Sequence, residues 1–379
     1  MENKSPNKVI VYGGGVIGNL ASLCLKRNGF DVYQIKSDVK KTVDRTYALS
    51  PGSVDWMKAM GLGDKFFNSL YPIENIEIIR QDSKINLSAD SVFQPALAYM
   101  VSEKNLMKEL QIKLTSEGIK SFPEPKKINL YNSPEEVLIK LGKESLTGSL
   151  LVACDGANSK IKEHLNIIKK IKNFNQNAIV FNFETSKDVE KNARQYFLED
   201  SILALLPISP RTISVVWSCN QDFFKKLNDM SDSKFKTKLK SIIGNDFVEI
   251  SNISNRSHFP LIMVLNDKFF DKRVVLMGNA AHSIHPLAGQ GLNLGIRDII
   301  EFEKCFKSTH YKDIGLAGFL RRFERSRRID TFQFSKLTSG LQWVFSSKNK
   351  LINQALARGI KLLETKDSIK KFLIKKAII

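Results

Sequence analysis

A glycine-rich turn near the start of the chain constrains the fold more than any other feature of the sequence. The apolar run 8–12 predicts a strand, the residues Gly13 to Gly18 follow it, and an apolar helical stretch continues to Asn28. A second strand is predicted over residues 31–35. A strand, turn, helix and strand that open with Gly-x-Gly-x-x-Gly are typical of an α/β domain that binds a dinucleotide.

The three glycines of this turn have separate predicted roles. Gly13 permits the tight turn, Gly15 lets a pyrophosphate approach the backbone, and Gly18 lets the helix pack closely on the strand. The acidic residue that usually ends the second strand and binds a ribose is replaced by Lys36. Asp38 is one substitute for it, and Lys36 itself is interpreted as a partner for a 2′-phosphate or the pyrophosphate.

A second glycine-rich stretch, residues 278–295, lies towards the other end of the chain. It follows an apolar run, 273–277, and precedes a helical run, 292–306. A strand, a Gly/Pro turn and a helix N-terminus together form a natural anion site, because backbone N–H groups converge there and the helix dipole is positive. The candidate ligand-binding residues of this stretch are Gly278, Asn279, Gly289, Gly291, Leu292 and Asn293.

Two further polar sites lie outside the two glycine-rich stretches, one after a predicted strand and one in a loop near the pyrophosphate site. Asp155 and Gly156 follow the buried run 151–154, so they lie at the sheet edge where ligands of α/β proteins bind. Asp155 either accepts hydrogen bonds from ligand hydroxyls or braces a loop. Arg45 either binds phosphate oxygens or forms a surface ion pair with Asp44.

Composition narrows the classes of function. The chain has 379 residues, of which 42% are hydrophobic, and a formal charge of +19, which indicates a large core and an acidic partner. The four cysteines form no Cys-x-x-Cys pair, so no metal site or disulfide framework is predicted. No nucleic-acid-binding motif is visible, and neither a secretory signal nor an apolar run of about twenty residues is found. A cytoplasmic protein, peripheral to the inner membrane, is therefore expected.

The C-terminal residues 346–379 read as a basic helix that has two interpretations. Its apolar positions, such as Phe372 and Leu373, alternate with lysines at helical spacing. Such a helix either lies in an anionic membrane interface or packs on the protein with a solvated basic face. If the first holds, deletion of residues 351–379 removes binding to liposomes.

Taken in order, the three glycine-containing elements resemble the flavin-dependent aromatic hydroxylases of the p-hydroxybenzoate hydroxylase fold. The turn at Gly13 matches the family's ADP-binding motif. Asp155-Gly156 matches its DG motif, near FAD and the nicotinamide nucleotide, and residues 278–295 match its GD motif, which binds the flavin ribityl chain.

The resemblance is closer to the hydroxylases of ubiquinone biosynthesis. Residues 44–50, 204–207, 216–218 and 285–298 are similar to the motifs of that family. Asn279 replaces the usual Asp, which is similar to the 2-polyprenyl-6-methoxyphenol hydroxylase branch. Lys36 and Lys162 depart from the family pattern.

The resemblance implies an enzyme that uses FAD, NAD(P)H and O2 to hydroxylate a polyprenylated phenol through a flavin C4a-hydroperoxide. The backbone N–H groups of Gly291 and Leu292 would stabilise negative charge at flavin N1 and O2. Pro286 would stiffen the loop that faces the ring. His285 is either the base that activates the phenol or a structural turn residue. The implied partners are the phenol, O2, an anionic membrane surface and other ubiquinone-biosynthesis proteins, without nucleic acid.

The resulting expectation for the fold is an α/β protein. A Rossmann-type FAD-binding domain, formed by residues 1–72, 96–172 and 262–340, is interleaved with a β-sheet substrate domain of residues 73–95 and 173–261. Residues 341–379 form a helical C-terminal segment. Two alternatives to the polyprenylphenol hydroxylase stay open: a non-catalytic subunit of a quinone-biosynthesis complex, and a hydroxylase of a small soluble phenol.

Overall fold

The computed structural model describes residues 7–37, 45–81, 83–244, 250–283, 291–308, 313–345 and 371, with side chains given up to Lys336 and at 340 and 371. The strands are β1 Lys8–Tyr12, β2 Asp31–Lys36, β3 Thr46–Leu49, β4 Tyr71–Ile73, β5 Asn75–Arg80, β6 Ser83–Ser88, β7 Ala98–Ser102, β8 Lys120–Pro123, β9 Leu130–Asn132, β10 Val137–Leu141, β11 Glu144–Gly148, β12 Leu150–Ala153, β13 Lys169–Thr185, β14 Asn192–Phe197, β15 Ser201–Ser209, β16 Thr212–Asn220, β17 Ile250–Ser251, β18 Ser257–Asn266, β19 Phe270–Asp271, β20 Val274–Leu276 and β21 His282–Ser283. The α-helices are α1 Val16–Arg27, α2 Pro51–Ala59, α3 Asp64–Asn68, α4 Glu103–Ser116, α5 Lys160–His164, α6 Gln221–Asn228, α7 Asp232–Ile243, α8 Gly291–Lys307 and α9 Ala317–Phe345.

The N-terminal βαβ unit lies at the centre of a sheet with the order β19-β20-β12-β1-β2-β8. Its strands pair in parallel except β19, which is antiparallel to β20. Every residue of β12 and β20 is buried, as expected for parallel strands that are covered on both faces. The predicted dinucleotide-binding unit is thereby confirmed.

Two different layers cover this sheet. On one face, side chains of β1, β12 and β20 pack against α1, α4, α8 and α9, including Leu20, Leu106, Phe302 and Phe323. On the other face, the alternate residues of the same strands pack against a three-stranded antiparallel meander, β9-β10-β11. This layered arrangement orients the C-terminal ends of the parallel strands towards one side of the molecule.

The meander differs from the sequence prediction in its third strand. Three strand-like runs in the sequence, separated by residues 132–134 and 142–144, predict meander strands over 127–131, 136–141 and 148–153. The structure forms the third strand earlier, over Glu144–Gly148, and residues Leu150–Ala153 leave the meander to pair in parallel with β1. The reason is that the continuous apolar run 150–153 fits a doubly covered strand, whereas residues 144–148 alternate between exposed and buried positions.

A larger sheet stands opposite the first, with the order β21-β18-β13-β16-β15-β14-β5-β6 and β17 on β13. One face of it is covered by α6 and α7, which pack on Leu203, Leu205, Val215 and Trp217. Because strand residues alternate between faces, their even-numbered neighbours point to the other side. The apolar runs at 205–207 and 215–217 thus contribute both to the core and, through Leu206 and Val216, to the wall of a cavity.

The two sheets are joined by the long strands β13 and β18. They pair over Lys169–Asn173 and again from Asn177, with a bulge between the two stretches. The predicted domain boundaries at 172/173 and 261/262 fall at this bulge, inside paired strands. The proposed division therefore follows a bend in continuous strands rather than a linker.

The last described helix, α9, is much longer than the run 319–326 that the sequence pattern predicted. The predicted C-terminal helix, 346–379, lies outside the described residues except for Lys371. Within the described part of the chain, no helix combines the length and the apolar character that crossing a bilayer requires.

Candidate active site

A cavity of about 680 Å³ opens between the carboxyl ends of the parallel strands and one face of the larger sheet. This is the face that is not covered by α6 and α7. Its lining residues come from all three regions that the sequence motifs indicated and from the large sheet. On the first side these are Gly15, Arg45, Gly156, Gly278, Asn279, Gly291 and Leu292, and on the second Val180, Asn182, Gln195, Ile202, Ala204, Leu206, Ser214, Val216 and Ser218. Residues separated by more than 250 positions in the sequence therefore surround one space.

The turn after β1 is shaped by glycines for steric reasons. Gly13 has a φ of +133°, and a Cβ there would overlap the carbonyl of Cys154. A Cβ at Gly18 would overlap the carbonyl oxygen of Gly13. A Cβ at Gly15 would meet no atom within 4 Å, because Gly15 borders the cavity at the N-terminus of α1. This open space beside a helix N-terminus is suited to a phosphate group.

Gln34 of β2 braces the turn after β1, a role that the sequence pattern did not suggest. Gln34 is buried, and its Nε2 donates to the Gly13 carbonyl at 3.3 Å and to Asn19 Oδ1 at 2.8 Å. Lys36 Nζ lies 3.4 Å from Gln111 Oε1, and Lys36 is absent from the cavity lining. A glutamine among the apolar residues 32–35 of this strand was the available signal for this brace.

Arg45 lines the cavity together with Tyr47 and Glu103. The Tyr47 hydroxyl interacts with both side chains, and its pKa is raised, first by burial and then by the Glu103 carboxylate. The backbone N–H of Glu103 also donates to the Arg45 carbonyl at 2.6 Å. Arg45 is thus held at the cavity wall by Tyr47 and Glu103, while Asp44 falls outside the described residues.

Asp155 braces the loop after β12, as one of its two interpretations expected. Its Oδ2 accepts a hydrogen bond from the Ile161 N–H at 3.2 Å at the start of α5. Burial raises the pKa of this carboxyl, although hydrogen bonds from Ser159 and Ile161 oppose the shift. Oδ1 is buried and has no hydrogen-bond partner among the described residues. Asp155 itself is absent from the cavity lining, whereas the adjacent Gly156 belongs to it.

A buried charge network holds the turn Gly278–Ala280 in place. Asp298 on α8 accepts from the Gly278 N–H at 2.8 Å, contacts His282 Nε2 at 2.8 Å, and accepts from Arg327 Nε at 2.7 Å. Burial would raise the pKa of Asp298, but the charges of His282 and Arg327, with the hydrogen bonds, outweigh burial and lower it. The network fixes a glycine whose φ is +59° between β20 and α8.

The sequence pattern did not identify this network. Arg321, Arg322, Arg325, Arg327 and Arg328 predict a strongly basic helix, yet Arg327 is only 4% exposed because it lies against Asp298. The signal in the sequence was His282 inside the glycine-rich stretch, with Asp298 sixteen residues later. Such a pairing becomes informative only when the turn and the helix are known to be adjacent.

The N-terminus of α8 points at the cavity through Gly291 and Leu292. For the next residue, Asn293, the sequence predicts a contact with the cofactor. In the structure its side chain is 2% exposed and is absent from the cavity lining. Its Oδ1 accepts from the Ser50 N–H at 2.8 Å, and its Nδ2 donates to the Ala48 carbonyl at 2.7 Å. Asn293 therefore ties α8 to β3 and the start of α2 instead of facing a ligand.

Three predicted site residues, His285, Pro286 and Gly289, lie outside the described residues. The strand that leads to them ends at Ser283, whose Oγ is buried, lines the cavity and has no hydrogen-bond partner among the described residues. Among the described histidines, His258 on β18 belongs to the cavity lining, and it pairs with Ile179. Directly opposed residues share a sheet face, and the His258 ring lies 5.3 Å from Phe224 of α6. The His258 imidazole is therefore on the helix-covered face, away from the cavity floor.

The floor of the cavity is mainly aliphatic with a few neutral polar groups. Val180, Ala204 and Val216 are cross-strand neighbours at its centre. Gln195 lies beside Ala204, and Ser214 beside Leu206. A flat apolar floor with a small number of amide and hydroxyl groups suits an aromatic ring that carries neutral oxygen substituents.

The cofactor half of the cavity fits a flavin dinucleotide. The space at Gly15 accepts a pyrophosphate, and the α8 N-terminus accepts the electronegative edge of a ring. Asn279 is exposed and lines the same cavity, where its amide can both donate to and accept from hydroxyl groups.

Comparison with known proteins agrees with this geometry. A sequence family described as "FAD binding domain" matches residues 7–320. The chain belongs to this FAD-binding family. Ubiquinone hydroxylase UbiL of Rhodospirillum rubrum is 25% identical, over 98% of this chain and 89% of that protein. The 3-demethoxyubiquinol 3-hydroxylase of Escherichia coli is 25% identical, over 86% of this chain and 87% of its own length.

A solved structure supports the same fold. The p-nitrophenol 4-monooxygenase PnpA of Pseudomonas putida superposes with a TM-score of 0.79 at 15% identity, covering 98% of this chain and 97% of PnpA. The predicted resemblance to ubiquinone-biosynthesis hydroxylases, the p-hydroxybenzoate hydroxylase fold and the FAD cofactor are confirmed, as is the enzyme class, an FAD-dependent monooxygenase. The finer branch that Asn279 suggested stays a prediction.

The FAD-binding assignment gives the observed contacts a common purpose. The braces at Gln34, Asp155 and Asp298 each hold a backbone turn that borders the cavity, and none of these three side chains lines it. The chain therefore uses buried polar side chains to fix three loops. Gly15, Gly156 and Gly278 of those loops line the cavity.

Proposed function

We propose that the protein hydroxylates the ring of a polyprenylated phenol in ubiquinone biosynthesis, with NAD(P)H as reductant and O2 as the source of oxygen. The observation that carries this proposal is the single cavity that joins the FAD-binding turns to an aliphatic floor. The names of the relatives support a substrate of the quinone type. Bound FAD supplies the activation of O2 for transfer of one oxygen atom to the ring.

The residues of the chain would position the cofactor and polarise its edge. The N–H groups of Gly291 and Leu292 open α8, where the dipole contributes about half a positive charge, so negative charge is stabilised there. Asp298 keeps the turn at Gly278 close to this helix. A Cβ at Gly295 would clash with Ile17, so the glycine allows α8 to pack against α1 and bring its N-terminus to the cavity.

The floor would position the phenol and exclude water. Val180, Ala204 and Val216 offer aliphatic contacts to one face of a ring, and water is poorly held by such a surface. Gln195 is half-buried at the edge of this patch and lines the cavity. We assign Gln195 the role of hydrogen-bonding an oxygen substituent of the ring. His285 stays the predicted base for the phenol proton.

The test of this assignment is a titration of the FAD-loaded protein with a short-chain prenylated phenol, followed by the change in flavin absorbance. Gln195→Leu removes one hydrogen bond at nearly constant volume and should weaken binding by about tenfold, the equivalent of roughly 1.4 kcal/mol. Gln221→Leu, an exposed change at the start of α6, is the matched control. Equal affinities for the three proteins would contradict the role of Gln195.

The prenyl group is tested in the same titration. A phenol with the same ring substituents but no prenyl chain should bind more weakly, because each buried methylene contributes about 0.8 kcal/mol. Equal or tighter binding of the unprenylated phenol would favour a small soluble substrate instead.

A further inference from the structure

The exposed side of α9 is unusual for a helix packed on the body of a protein. The helix buries Leu320, Phe323, Thr331 and Ser335 against the protein. Its exposed residues Arg321, Arg325, Arg328, Ile329, Phe332 and Lys336 recur at intervals of three and four, so they lie on one stripe. We call these six residues the α9 face. It combines four cations with two large apolar side chains.

The apolar members of the α9 face are open to solvent. Ile329 is 56% and Phe332 is 59% exposed, and the Lys336 ammonium lies 5.4 Å from the Phe332 ring. Exposed Ile and Phe among cations are typical of surfaces that insert into the headgroup region of a membrane.

The acids of the same helix segment are used elsewhere. Glu324 Oε1 accepts from the Phe269 N–H at 2.7 Å, and Asp330 Oδ2 accepts from Arg327 at 2.6 Å. Both carboxylates therefore belong to the packed sides of α9. The four cations of the α9 face form a positive stripe, whose attraction for anionic lipid adds up over its members.

The helix also runs towards the mouth of the cavity. Glu324 of α9 accepts a hydrogen bond from the Phe269 N–H, and eleven residues later Ser335 Oγ lies 3.2 Å from Met263 Sδ on β18. As α9 advances it therefore follows β18 backwards, towards residues 257–262, which line the cavity. At that strand end Phe259 is 40% exposed.

We propose that the α9 face docks the protein on the surface of an anionic lipid bilayer, with the strand end at residues 257–262 oriented towards the lipid. A substrate with an apolar chain would then pass from the bilayer into the cavity without crossing water. The delivery of substrate rests on the proposed function, whereas the docking itself does not.

Sedimentation of the full-length, FAD-loaded protein with vesicles tests this surface. Vesicles of phosphatidylcholine alone are compared with vesicles that also contain phosphatidylglycerol. The wild type should bind the anionic vesicles, and the triple variant Arg321→Glu, Arg325→Glu, Arg328→Glu should bind them about a hundredfold more weakly, since each cation contributes about one kcal/mol. The matched control Lys225→Glu, Lys226→Glu, Lys240→Glu makes the same charge change on the exposed sides of α6 and α7 and should retain most of the binding.

A second variant separates insertion from charge. Ile329→Ser with Phe332→Ser leaves the net charge unchanged and should still lower vesicle binding by about tenfold, because apolar side chains no longer enter the interface. The flavin spectrum and the melting temperature confirm that each variant is folded. The docking proposal is contradicted if the wild type does not bind anionic vesicles, or if the α9 variants and the control lose binding equally.

Turnover of a soluble short-chain phenol distinguishes the two proposals. The α9 triple variant should turn over this substrate at the wild-type rate, because only docking is altered. Vesicle binding without any hydroxylation would contradict the proposed function and leave the docking intact. Hydroxylation without vesicle binding would contradict the docking surface and leave the proposed function intact.

Discussion

Gly15 lies where the N-terminus of α1 meets the cavity. A substitution at this residue distinguishes an effect on cofactor binding from an effect on folding. Its backbone adopts a φ of −78°, which other residues also accept, and a Cβ there would touch no atom of the protein. The fold therefore does not require a glycine at this position, and we expect that the cofactor does.

Gly15→Ala is expected to leave the melting temperature of the FAD-free protein unchanged. The dissociation constant for FAD, measured by fluorescence titration, should rise by about tenfold or more, the equivalent of roughly 1.4 kcal/mol. Gly340→Ala in α9 is the control: it should leave the FAD affinity unchanged and slightly raise the melting temperature, because Ala favours a helix more than Gly does. Gly18→Ala should instead destabilise the fold, because its Cβ would overlap the Gly13 carbonyl. Unchanged FAD affinity in Gly15→Ala would show that the pyrophosphate lies elsewhere.

At the scale of elements, Asp298 connects β20, α8 and α9 through Gly278, His282 and Arg327. Because its pKa is lowered on folding, the ionised carboxyl stabilises the folded protein above the unfolded pKa of about 3.9. That contribution is lost as the pH falls through the folded pKa. The network therefore contributes to stability at neutral pH and disappears in acid.

Asp298→Asn is expected to lower the free energy of unfolding at neutral pH by about 3 kcal/mol, because the buried Arg327 loses its main partner. Melting temperatures between neutral pH and about pH 3 check the sign: the gap between wild type and variant should narrow as the pH falls below about 4. The exposed change Asp222→Asn in α6 is the control. A gap that stays constant over this range would mean that the Asp298 charge does not stabilise the fold.

The sequence pattern predicted elements well where one physical signal dominated. Continuous apolar runs located β1, β2 and the buried strand at 150–153, and glycine spacing located the turns around the cavity. It did not predict contacts between distant elements. The brace of Gln34, the Asp298 network and the role of Asn293 all depend on which elements become neighbours, and the local pattern carries no record of that.

For the whole molecule, the order of the motifs identified the fold and the cofactor, because three turns far apart in the chain must meet at one sheet edge. Gln195 and Val216 both line the cavity because of the register of the large sheet. Their place in the site therefore emerged only from the structure. The same applies to Arg327 and the α9 face. Five arginines on one helix looked equivalent in the sequence, yet packing buries Arg327 and exposes Arg321, Arg325 and Arg328.

The central claim, that the cavity is the site of oxygen transfer from O2 to a phenol ring, is tested most directly by isotope labelling. The purified, FAD-loaded protein is supplied with NAD(P)H, a prenylated phenol and ¹⁸O2, and the product is examined by mass spectrometry. We expect a hydroxylated ring that contains one ¹⁸O atom, and Gln195→Leu should form less of it for each NAD(P)H consumed. Consumption of NAD(P)H without labelled product, or a product whose new oxygen comes from water, would contradict the account.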